Sequence, residues 1–417
     1  MTAVTGDTRY NPLPGRVAVP LYPVPRPGAG FVAAVARGLR SPSAVVEDAR
    51  RRLAALLAVT PERITFTDSG MAALVLALRA LRRSATDEVL LATFACPRLL
   101  DAVLAADMVP VLCDVDDSGN IDVDDVRRRM TCNARAVVAG HTFGAAADLI
   151  ALTELCQTAG VHLIDDAAQA LGTRHLGRAL GAWGSFGVLS FGRHKPFYAG
   201  GGGAIVRNAD PSVRAPRTPD GSTAGLGLLA RAGAVDALRA LSSGLPRRLG
   251  LQPSPQSDVV AVLESGDSRA DTGSGLPWVS AAFLADQLAQ GDANRRRQRR
   301  HLARIRAVVD SRPGLDFPAL ADDMGVNFLA LRCPPRARHQ IAAQLAHNGV
   351  ETTWLYYPLH RVRRYVGRVV CEGPFPRAEH LWRRTLCVPC RGWHTDRQID
   401  RLVTALFGVE LVRGGAA

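Results

Sequence analysis

The sequence predicts an α/β protein: a large, doubly wound domain on a mainly parallel sheet, followed by a smaller C-terminal α/β domain. From about residue 60 to 208, short apolar runs alternate with helical patterns, which is typical of a parallel sheet covered by helices. Residues 209–276 interrupt this pattern with many Pro, Gly, Ser and Arg residues around one amphipathic run. A long helical pattern and a second α/β stretch follow.

These changes of character divide the chain into parts. We expect an N-terminal segment (1–35), a large domain (36–277) that includes 209–276 as a variable excursion of loops and helix, a linking helix (278–308) and a small C-terminal domain (309–417). At 417 residues, of which 47% are hydrophobic, the chain is long enough for two such domains with a large core.

The predicted strands are short apolar runs bounded by turn residues. In chain order they are RITFT, EVLLAT, PVLCDV, ARAVVAG, VHLID and GVLSF in the large domain, then GVNFLALR and TLCVPC in the small one. The stretch SGMAALVLALRALRR predicts the helix after the first strand. Turn signals such as DDSGN (116–120) and Pro97 separate the strands. Ligands of open α/β sheets bind at the carboxyl ends of the strands, so we look for the site there.

The composition and the cysteine usage indicate a cytoplasmic protein. The first sixteen residues lack the charged-then-apolar run of a signal peptide, and no apolar stretch approaches the roughly 20 residues needed to span a bilayer. The eight cysteines are therefore expected to be reduced. Cys387 and Cys390 form a single CxxC pair, which is weak evidence for zinc or redox chemistry, and we interpret it as structural.

The net charge of +13 favours anionic partners. Arginines cluster at 294–306 and 360–368, where they could contact nucleic acid, a diphosphate or only solvent. Leu302, Ile305 and Val308 recur at helical spacing in the first cluster, so a solvated helix face is its simplest interpretation. Neither cluster carries a recognised nucleic-acid motif, and we expect no nucleic-acid partner.

Lys195 is the only lysine of the chain, because the other 50 of its 51 basic residues are arginine. Arginine replaces lysine in most surface roles, but it cannot lose a proton and add to a carbonyl. Coding bias with one chance survivor would explain the same count. The surrounding stretch SFGRHKPFYAGGGG favours a catalytic role over chance, because its four glycines (200–203) let the backbone fold tightly back into the sheet. We interpret Lys195 as a nucleophile.

Two further stretches supply the other parts of a site. Ser69 and Gly70 lie between a strand and a helix, where backbone N–H groups can hold a phosphate, although Ser-Gly is also an ordinary helix cap. Asp165 and Asp166 end a strand and precede Gln169; a metal site or a cap would use them equally well. A phosphate site, an aspartate and a later lysine are together the parts of a pyridoxal phosphate (PLP) site, in which a carboxylate keeps the ring nitrogen protonated.

The same stretches resemble the DegT-type nucleotide-sugar aminotransferases, which are PLP enzymes of fold type I. The resemblance runs from about Val45 to Gly408 and is patchy only at 209–276. It is carried by SGMAAL, TFACPRLLDAVLAADMVPVLCDVDDSGNIDVDDV, HTFGAAADL, IDDAAQALG, SFGRHK, GVETTWLYYPLH and FPRAEHLWRRTLCVPC.

The resemblance implies a PLP site with defined roles. Lys195 would hold PLP covalently, Asp166 would pair with the ring nitrogen and Gln169 would contact the ring hydroxyl. Ser190 and the helix start at Ser69, Gly70 and Met71 would contact the phosphate, and Phe94 would stack on the ring. The substrate entrance would be formed by Tyr357, His360, Arg361, Arg363 and Arg364. For Phe94 alone, plain core packing would be the expectation. No metal is expected, and the resemblance implies a homodimer with a shared active site.

Three features depart from the family pattern. Met71 stands where the family usually has threonine, which removes one hydroxyl from the phosphate site. Gly201 stands where the family usually has an acid. The region DTGSGLPWVSAAF lacks the asparagine-tyrosine-arginine stretch that reaches the partner subunit's cofactor.

The implied activity is transfer of an amino group from an amino acid, glutamate or glutamine, to a nucleotide-linked keto sugar, in the biosynthesis of an amino sugar for an antibiotic or a surface glycan. A keto-cyclitol or another keto metabolite without a nucleotide is the alternative substrate. A catalytically idle, regulatory relative is the alternative of a different class. Some relatives carry histidine at the lysine position and remove a hydroxyl instead; here Lys195, five residues after Ser190, occupies that position and favours transamination.

Overall fold

A computed structural model describes residues 10–12, 14–23, 25, 27–192, 195–208, 256–258, 274–318 and 325–409. Most of the predicted excursion at 209–276 therefore lies outside the described residues. The strands are β1 (Tyr10–Pro12), β2 (Ile64–Thr67), β3 (Glu88–Ala92), β4 (Val109–Cys113), β5 (Ala134–Gly140), β6 (His162–Asp166), β7 (Arg174–His175), β8 (Arg178–Ala179), β9 (Phe186–Ser190), β10 (Gly203–Arg207), β11 (Gln256–Asp258), β12 (Leu329–Arg332) and β13 (Thr385–Val388).

The large domain is built on a seven-stranded sheet of order β2–β10–β9–β6–β5–β3–β4. β10 pairs antiparallel with both of its neighbours, β2 and β9, and the pairs β9–β6, β6–β5, β5–β3 and β3–β4 are parallel. All five residues of β9 are buried, as expected for a strand with both faces covered. The mainly parallel sheet predicted from the apolar runs is confirmed, and each predicted strand is present, with bounds that match the prediction or differ from it by one to four residues.

Helices cover this sheet and build the small domain. They are α1 (Ala29–Gly38), α2 (Pro42–Leu57), α3 (Gly70–Leu81), α4 (Pro97–Ala105), α5 (Val123–Arg129), α6 (Leu149–Ala159), α7 (Trp278–Ala289), α8 (Gly291–Asp310), α9 (Arg338–His347), α10 (Pro376–Arg384) and α11 (Asp396–Phe407). β12 and β13 pair antiparallel in the small domain, where α8 packs against α11. One continuous apolar core joins the two parts.

The predicted single helix at 278–308 is wrong. The structure has two helices, α7 and α8, which are separated at Gln290. α8 begins at Gly291, and glycine is a weak helix former, so the break falls where helix propensity is lowest. α7 is buried along most of its length against α1 and α2, whereas α8 is amphipathic. The predicted boundary at residue 35 also falls inside α1, which packs on α7.

The basic cluster at 294–306 is only partly solvated. Arg296, Arg299 and Arg300 are exposed, as a solvated helix face predicts. Arg295 and Arg297 are half-buried instead, and Arg297 Nε donates a hydrogen bond to the carbonyl oxygen of Gly392 at 2.9 Å. The solvated interpretation is therefore wrong for these two arginines, because the start of α8 packs against the small domain.

No helix among the described residues is both long enough and apolar enough to cross a bilayer. The two CxxC cysteines lie in the core: Cys387 and Cys390 are fully buried. Burial raises the pKa of the Cys390 thiol to about 12, so it stays protonated at neutral pH. Within the described ranges, no group of His, Cys, Asp and Glu side chains is placed to hold a metal ion.

Candidate active site

Asp166 ends β6 at the carboxyl edge of the sheet and lies in a buried environment. Asp166 is 7% exposed, and among the described residues its carboxylate accepts one hydrogen bond, from the backbone N–H of Ala168 at 3.0 Å. Burial raises the pKa of Asp166 above its usual value, and the nearby positive charge of Lys195 opposes that rise. The structure thus brings these two predicted residues together, 29 positions apart in the sequence.

Asp165, the preceding residue, has a different role. Its fully buried carboxylate accepts hydrogen bonds from His141 Nε2 at 2.7 Å and from the backbone N–H groups of Gly181 at 2.6 Å and Trp183 at 2.9 Å. His141 Nδ1 accepts from the N–H of Ala147 at 3.1 Å, so Nε2 carries the proton that is donated to Asp165. Asp165 therefore holds the segments that contain His141, Gly181 and Trp183 against β6. The carboxylate available to a ligand is that of Asp166.

Sequence reasoning did not identify His141 as a site residue. It follows β5 in the stretch HTFG, which contributed to the family resemblance without being given a role. A histidine directly after a strand of the parallel sheet was the available signal.

The start of α3 and the end of β9 form a narrow cradle. Ser69 caps α3, and its Oγ accepts a hydrogen bond from the N–H of Ala72 at 3.1 Å. A Cβ atom added to Gly70 would lie 2.6 Å from Ser190 Cβ and 2.9 Å from Ser190 Oγ, so glycine alone fits without movement. The first N–H groups of a helix lack partners within the helix and favour anions. The cradle therefore combines backbone donors with a hydroxyl, as a phosphate requires.

The glycine run after Lys195 returns to this cradle. A β-bridge joins Gly202 to Ser69, and a Cβ atom added to Gly203 would lie 2.5 Å from the Ser69 carbonyl oxygen. Gly201 has a φ of +151°, which suits glycine, so its departure from the family's acid is accommodated by the backbone. Arg193 and His194, which precede Lys195, lie outside the described residues.

Gln169 and Met71 complete the predicted cofactor set. Gln169 Oε1 is buried and has no hydrogen-bond partner among the described residues, which leaves an acceptor for a ligand hydroxyl. Met71 Sδ lies 3.7 Å from Arg98 Nη1, and the side chain is half-buried. Its thioether offers no hydroxyl to a phosphate, so Met71 can contribute through its backbone N–H.

Phe94 follows β3 and is fully buried. Its ring makes edge contacts with Phe143 at 6.1 Å and Tyr356 at 6.0 Å between ring centroids, and those two rings stack on each other. These contacts are the core packing that the residue type alone predicts. Stacking of Phe94 on a cofactor ring stays a prediction.

Three of the predicted entrance residues, His360, Arg361 and Arg364, contact acidic side chains of the large and small domains. His360 Nδ1 lies 2.9 Å from Thr93 Oγ1, and His360 Nε2 lies 3.0 Å from Glu379 Oε1. Arg361 forms a two-pronged ion pair with the same Glu379, in which Nη2 and Oε2 are 2.6 Å apart. Burial favours the neutral form of Glu379, but the hydrogen bonds from His360 and Arg361 lower its pKa below the usual value.

Arg364 is also paired, since its Nη1 lies 3.0 Å from Asp101 Oδ1 on α4 and its guanidinium stacks on the Tyr365 ring. Tyr357 packs edge-on against Trp382. Arg361, Arg363 and Arg368 of this run are exposed, and Arg364 is half-buried. Arg361 and Arg364 thus already hold carboxylates of the chain itself.

Comparisons with known proteins identify a single family. The sequence model of the DegT/DnrJ/EryC1/StrS aminotransferase family matches residues 46–218 and 267–407. The chain is 29% identical to dTDP-4-dehydro-2,3,6-trideoxy-D-glucose 4-aminotransferase of Saccharopolyspora spinosa, over 82% of this chain and 83% of that protein. It is 37% identical to L-glutamine:2-deoxy-scyllo-inosose aminotransferase of Streptomyces kanamyceticus, over 46% and 47%.

Solved structures agree with the sequence matches. The aminotransferase TlmJ of Streptoalloteichus hindustanus superimposes with a TM-score of 0.73 at 25% identity, covering 93% of this chain and 97% of that one. DesV of S. venezuelae, solved in complex with a ketimine intermediate, gives a TM-score of 0.71 at 27% identity, covering 91% and 94%. The predicted fold type I architecture is confirmed by these similarities together with the mainly parallel sheet.

Proposed function

Because the chain belongs to the DegT/DnrJ/EryC1/StrS aminotransferase family, we propose that it transfers an amino group from glutamate or glutamine to a nucleotide-linked keto sugar. Aminotransferase activity in amino-sugar biosynthesis and the use of PLP come with the family. Relatives named for dTDP-, GDP- and UDP-linked sugars support the nucleotide-linked acceptor.

The residues present fit PLP. Gln169 Oε1 is a buried acceptor without a partner among the described residues, as a ring hydroxyl requires. The cradle at Gly70 and Ser190 is closed to any Cβ atom and offers donors to a phosphate. Asp166 keeps one carboxylate oxygen that accepts no hydrogen bond from the described residues, and it lies near a positive charge. This set of side chains is the observation that carries the proposal.

Each residue then has a task. PLP, when bound, supplies the carbonyl that takes up the amino group and a ring that stabilises negative charge on the donor carbon. Lys195 Nζ holds the cofactor and afterwards moves the proton of the donor carbon. The Asp166 carboxylate would keep the ring nitrogen protonated, because a neighbouring negative charge favours the charged form of a base. Asp165 and His141 hold the end of β6 in place.

A keto-cyclitol is the second candidate acceptor. The Streptomyces kanamyceticus relative is named for 2-deoxy-scyllo-inosose, which carries no nucleotide. Arg361 and Arg364, two of the predicted entrance residues that a diphosphate would meet, are already paired with Glu379 and Asp101. The proximity of Lys195 to Asp166 and the buried acceptor of Gln169, which has no partner among the described residues, support an active enzyme over an idle, regulatory role.

Cellular setting and assembly are part of the same proposal. We expect a cytoplasmic homodimer with a shared active site, acting in the biosynthesis of an antibiotic or a surface glycan. The family resemblance supports the homodimer.

Absorption spectroscopy of the purified protein tests the function. We expect a visible cofactor band that shifts when glutamate or glutamine is added. Borohydride reduction should then attach the cofactor to one internal peptide, which contains Lys195. Retention of reducible cofactor by Lys195→Ala, apart from any adduct at the N-terminus, would show that the assignment is wrong. Assays of keto substrates with and without the nucleotide decide between the two acceptors.

A further inference from the structure

The loop that carries Lys195 leaves the end of β9 and soon returns to it. At its return, the backbone N–H of Ala199 donates a hydrogen bond to the carbonyl oxygen of Phe191 at 2.9 Å. Lys195 is half-buried, and its backbone N–H donates to the carbonyl oxygen of Gly192 at 3.1 Å. A backbone hydrogen bond therefore closes the loop at its base.

Gln287 on α7 holds the residue next to this closing bond. Its side chain is fully buried, and its Oε1 accepts a hydrogen bond from the backbone N–H of Tyr198 at 3.0 Å. Its Nε2 donates to the carbonyl oxygen of the same Tyr198. One side-chain amide thus pairs with both backbone groups of one residue, as a neighbouring antiparallel strand would. This pairing requires an acceptor and a donor at one side-chain end, which an amide supplies.

The same helix also contacts the side chain of Tyr198. The Tyr198 ring packs edge-on against Phe283, one helical turn before Gln287, with 6.4 Å between the ring centroids. Gln287 Nε2 lies 3.4 Å from the carbonyl oxygen of Phe283, which ties the amide to its own helix. Since α7 is buried along most of its length and packs against α1 and α2, it is a firm support. The position of Tyr198 therefore depends on α7.

We propose that Gln287 is a positioning residue for Lys195. The inference rests on the proposed aminotransferase function, in which Lys195 Nζ holds the cofactor and moves a proton. Two residues separate Lys195 from Tyr198: Pro196, whose ring fixes φ near about −65°, and Phe197, which is buried. A displacement of Tyr198 would therefore reach Lys195 with little loss.

Proton transfer requires the amine within hydrogen-bond reach of the reacting carbon, and a misplacement of about 1 Å can slow a reaction by about 100-fold. Gln287 does not touch the reacting atoms in this proposal. It acts through the backbone of the loop, by keeping Tyr198 against α7. Replacing the amide by an apolar side chain removes both of these hydrogen bonds at once.

Because Lys195 is the only lysine, an amine-selective reagent reports directly on its loop. Trinitrobenzenesulfonate, added to the full chain after removal of bound cofactor, should modify Lys195 about 10-fold faster in Gln287→Met than in the wild type. Methionine fills a similar volume but makes neither hydrogen bond, so the half-buried lysine becomes more accessible. Peptide mapping distinguishes this lysine from the N-terminal amine. Equal rates in the two proteins would overturn the inference.

Asp286→Ala is the matched control, on the neighbouring residue of α7. Asp286 is also buried, and its carboxylate accepts hydrogen bonds from the N–H of Gly28 at 2.8 Å and from Gln290 Nε2 at 2.9 Å. Neither partner belongs to the Lys195 loop. The control should lower the Tm while Lys195 is modified at the wild-type rate. Equal acceleration in both variants would mean that the rate reports a general loss of stability, and the inference would fail.

Gln287→Glu provides a second test if Gln287→Met fails to fold. A neutral carboxylic acid offers an acceptor and an O–H donor, as the amide does, whereas a carboxylate offers acceptors only. Burial raises the pKa of an introduced carboxyl. The ratio of the modification rates of variant and wild type should therefore be near one at about pH 6 and rise about 10-fold towards about pH 10. A ratio that stays constant over this range would overturn the inference.

Steady-state kinetics of the PLP-loaded enzyme separate this inference from the proposed function. Gln287→Met should lower kcat by about 10-fold or more and leave KM for the keto acceptor unchanged, because the amide contacts the lysine loop. Wild-type kcat together with a wild-type modification rate in Gln287→Met would overturn the positioning role and leave the proposed function intact. Faster modification of Lys195 in a chain that forms no visible band with PLP would overturn the proposed function and leave Gln287 as the residue that holds the loop.

Discussion

Asp165 and Asp166 are adjacent on β6 but have opposite environments. Within the described part of the chain, the Asp165 carboxylate accepts three hydrogen bonds, from His141, Gly181 and Trp183, whereas that of Asp166 accepts one, from Ala168. Successive residues of a strand point to opposite faces, so one carboxylate can be structural while the other serves the site. Replacing each aspartate by asparagine can distinguish their roles, because the amide has the same shape and changes only the charge and the hydrogen-bond donors.

We predict that Asp166→Asn lowers kcat by about 100-fold or more, since the charge that stabilises the protonated ring is lost. Asp165→Asn should instead lower the Tm, because an amide nitrogen would face the donors of Gly181 and Trp183, while the folded fraction keeps most of its turnover. Paired measurements of kcat and Tm check both variants. The reverse pattern would mean that Asp165 faces the cofactor.

The sequence predicted the roles of residues whose partners are close in the sequence better than the roles of residues whose partners are far away in it. The spacing of three positions between Asp166 and Gln169 and the single lysine are local features of the sequence. They predicted Asp166 and Lys195 as site residues, and the structure brings these two together. The partners of Asp165 lie 16 to 24 positions away, and no local pattern marks them. Likewise, the acids that hold Arg361 and Arg364 are 18 and 263 positions distant.

At the scale of elements, the contact between α3 and β9 depends on one glycine. Gly70 is the first residue of α3, and the 2.6 Å between its added Cβ and Ser190 Cβ leaves no room for alanine. Any larger residue would push the helix start away from the strand end and open the cradle.

We predict that Gly70→Ala lowers the affinity for PLP while most of the fold is retained. Gly160→Ala is the matched control: its φ of +66° makes alanine cost about 1–2 kcal/mol, but a Cβ atom there meets nothing within 4 Å. The control should lose stability and keep PLP affinity. Fluorescence titration with PLP and thermal unfolding measure the two effects. Wild-type PLP affinity in Gly70→Ala would rule out the cradle as the phosphate site.

A second contact between elements is the clamp of Glu379 on α10 with His360 and Arg361. Because the pKa of Glu379 is lowered in the folded state, its contribution to stability is present above the ordinary glutamate pKa of about 4.3 and is lost as the pH falls through the lowered value. We predict that Glu379→Gln lowers the Tm at neutral pH and that the difference from the wild type shrinks below about pH 4. Thermal unfolding from pH 7 to pH 3 measures this. A constant difference across that range would show that the clamp does not depend on the charge of Glu379.

The strands and the helices differ in how well the sequence predicted them. Apolar runs bounded by turn residues predicted all strands of the parallel part of the sheet, because burial on both faces requires such runs. The break at Gln290 was missed, since the helical spacing of apolar residues continues on both sides of it. The pairing of β1 with β11 joins segments about 250 positions apart, and no local pattern predicts it.

At the scale of the whole molecule, the charge of +13 is carried by arginines that differ in exposure, and some of them are held by groups of the chain itself. Arg361 and Arg364 hold Glu379 and Asp101, and Arg297 is hydrogen-bonded to Gly392. A ligand with two negative charges would therefore be attracted by the net field and by the exposed members, such as Arg363 near the predicted entrance.

We predict that Arg363→Gln raises KM for a nucleotide-linked keto sugar severalfold, because a charge-assisted bond to the diphosphate is lost. The effect should weaken at high salt, since an exposed charge is screened over about 8 Å at physiological ionic strength. Arg299→Gln, an equally charged change on the exposed face of α8, is the control and should leave KM unchanged. Equal increases in both variants would indicate diffuse steering by the net charge of the protein. An unchanged KM in both would favour a keto acceptor without a nucleotide, because such a substrate offers no phosphate for Arg363 to bind.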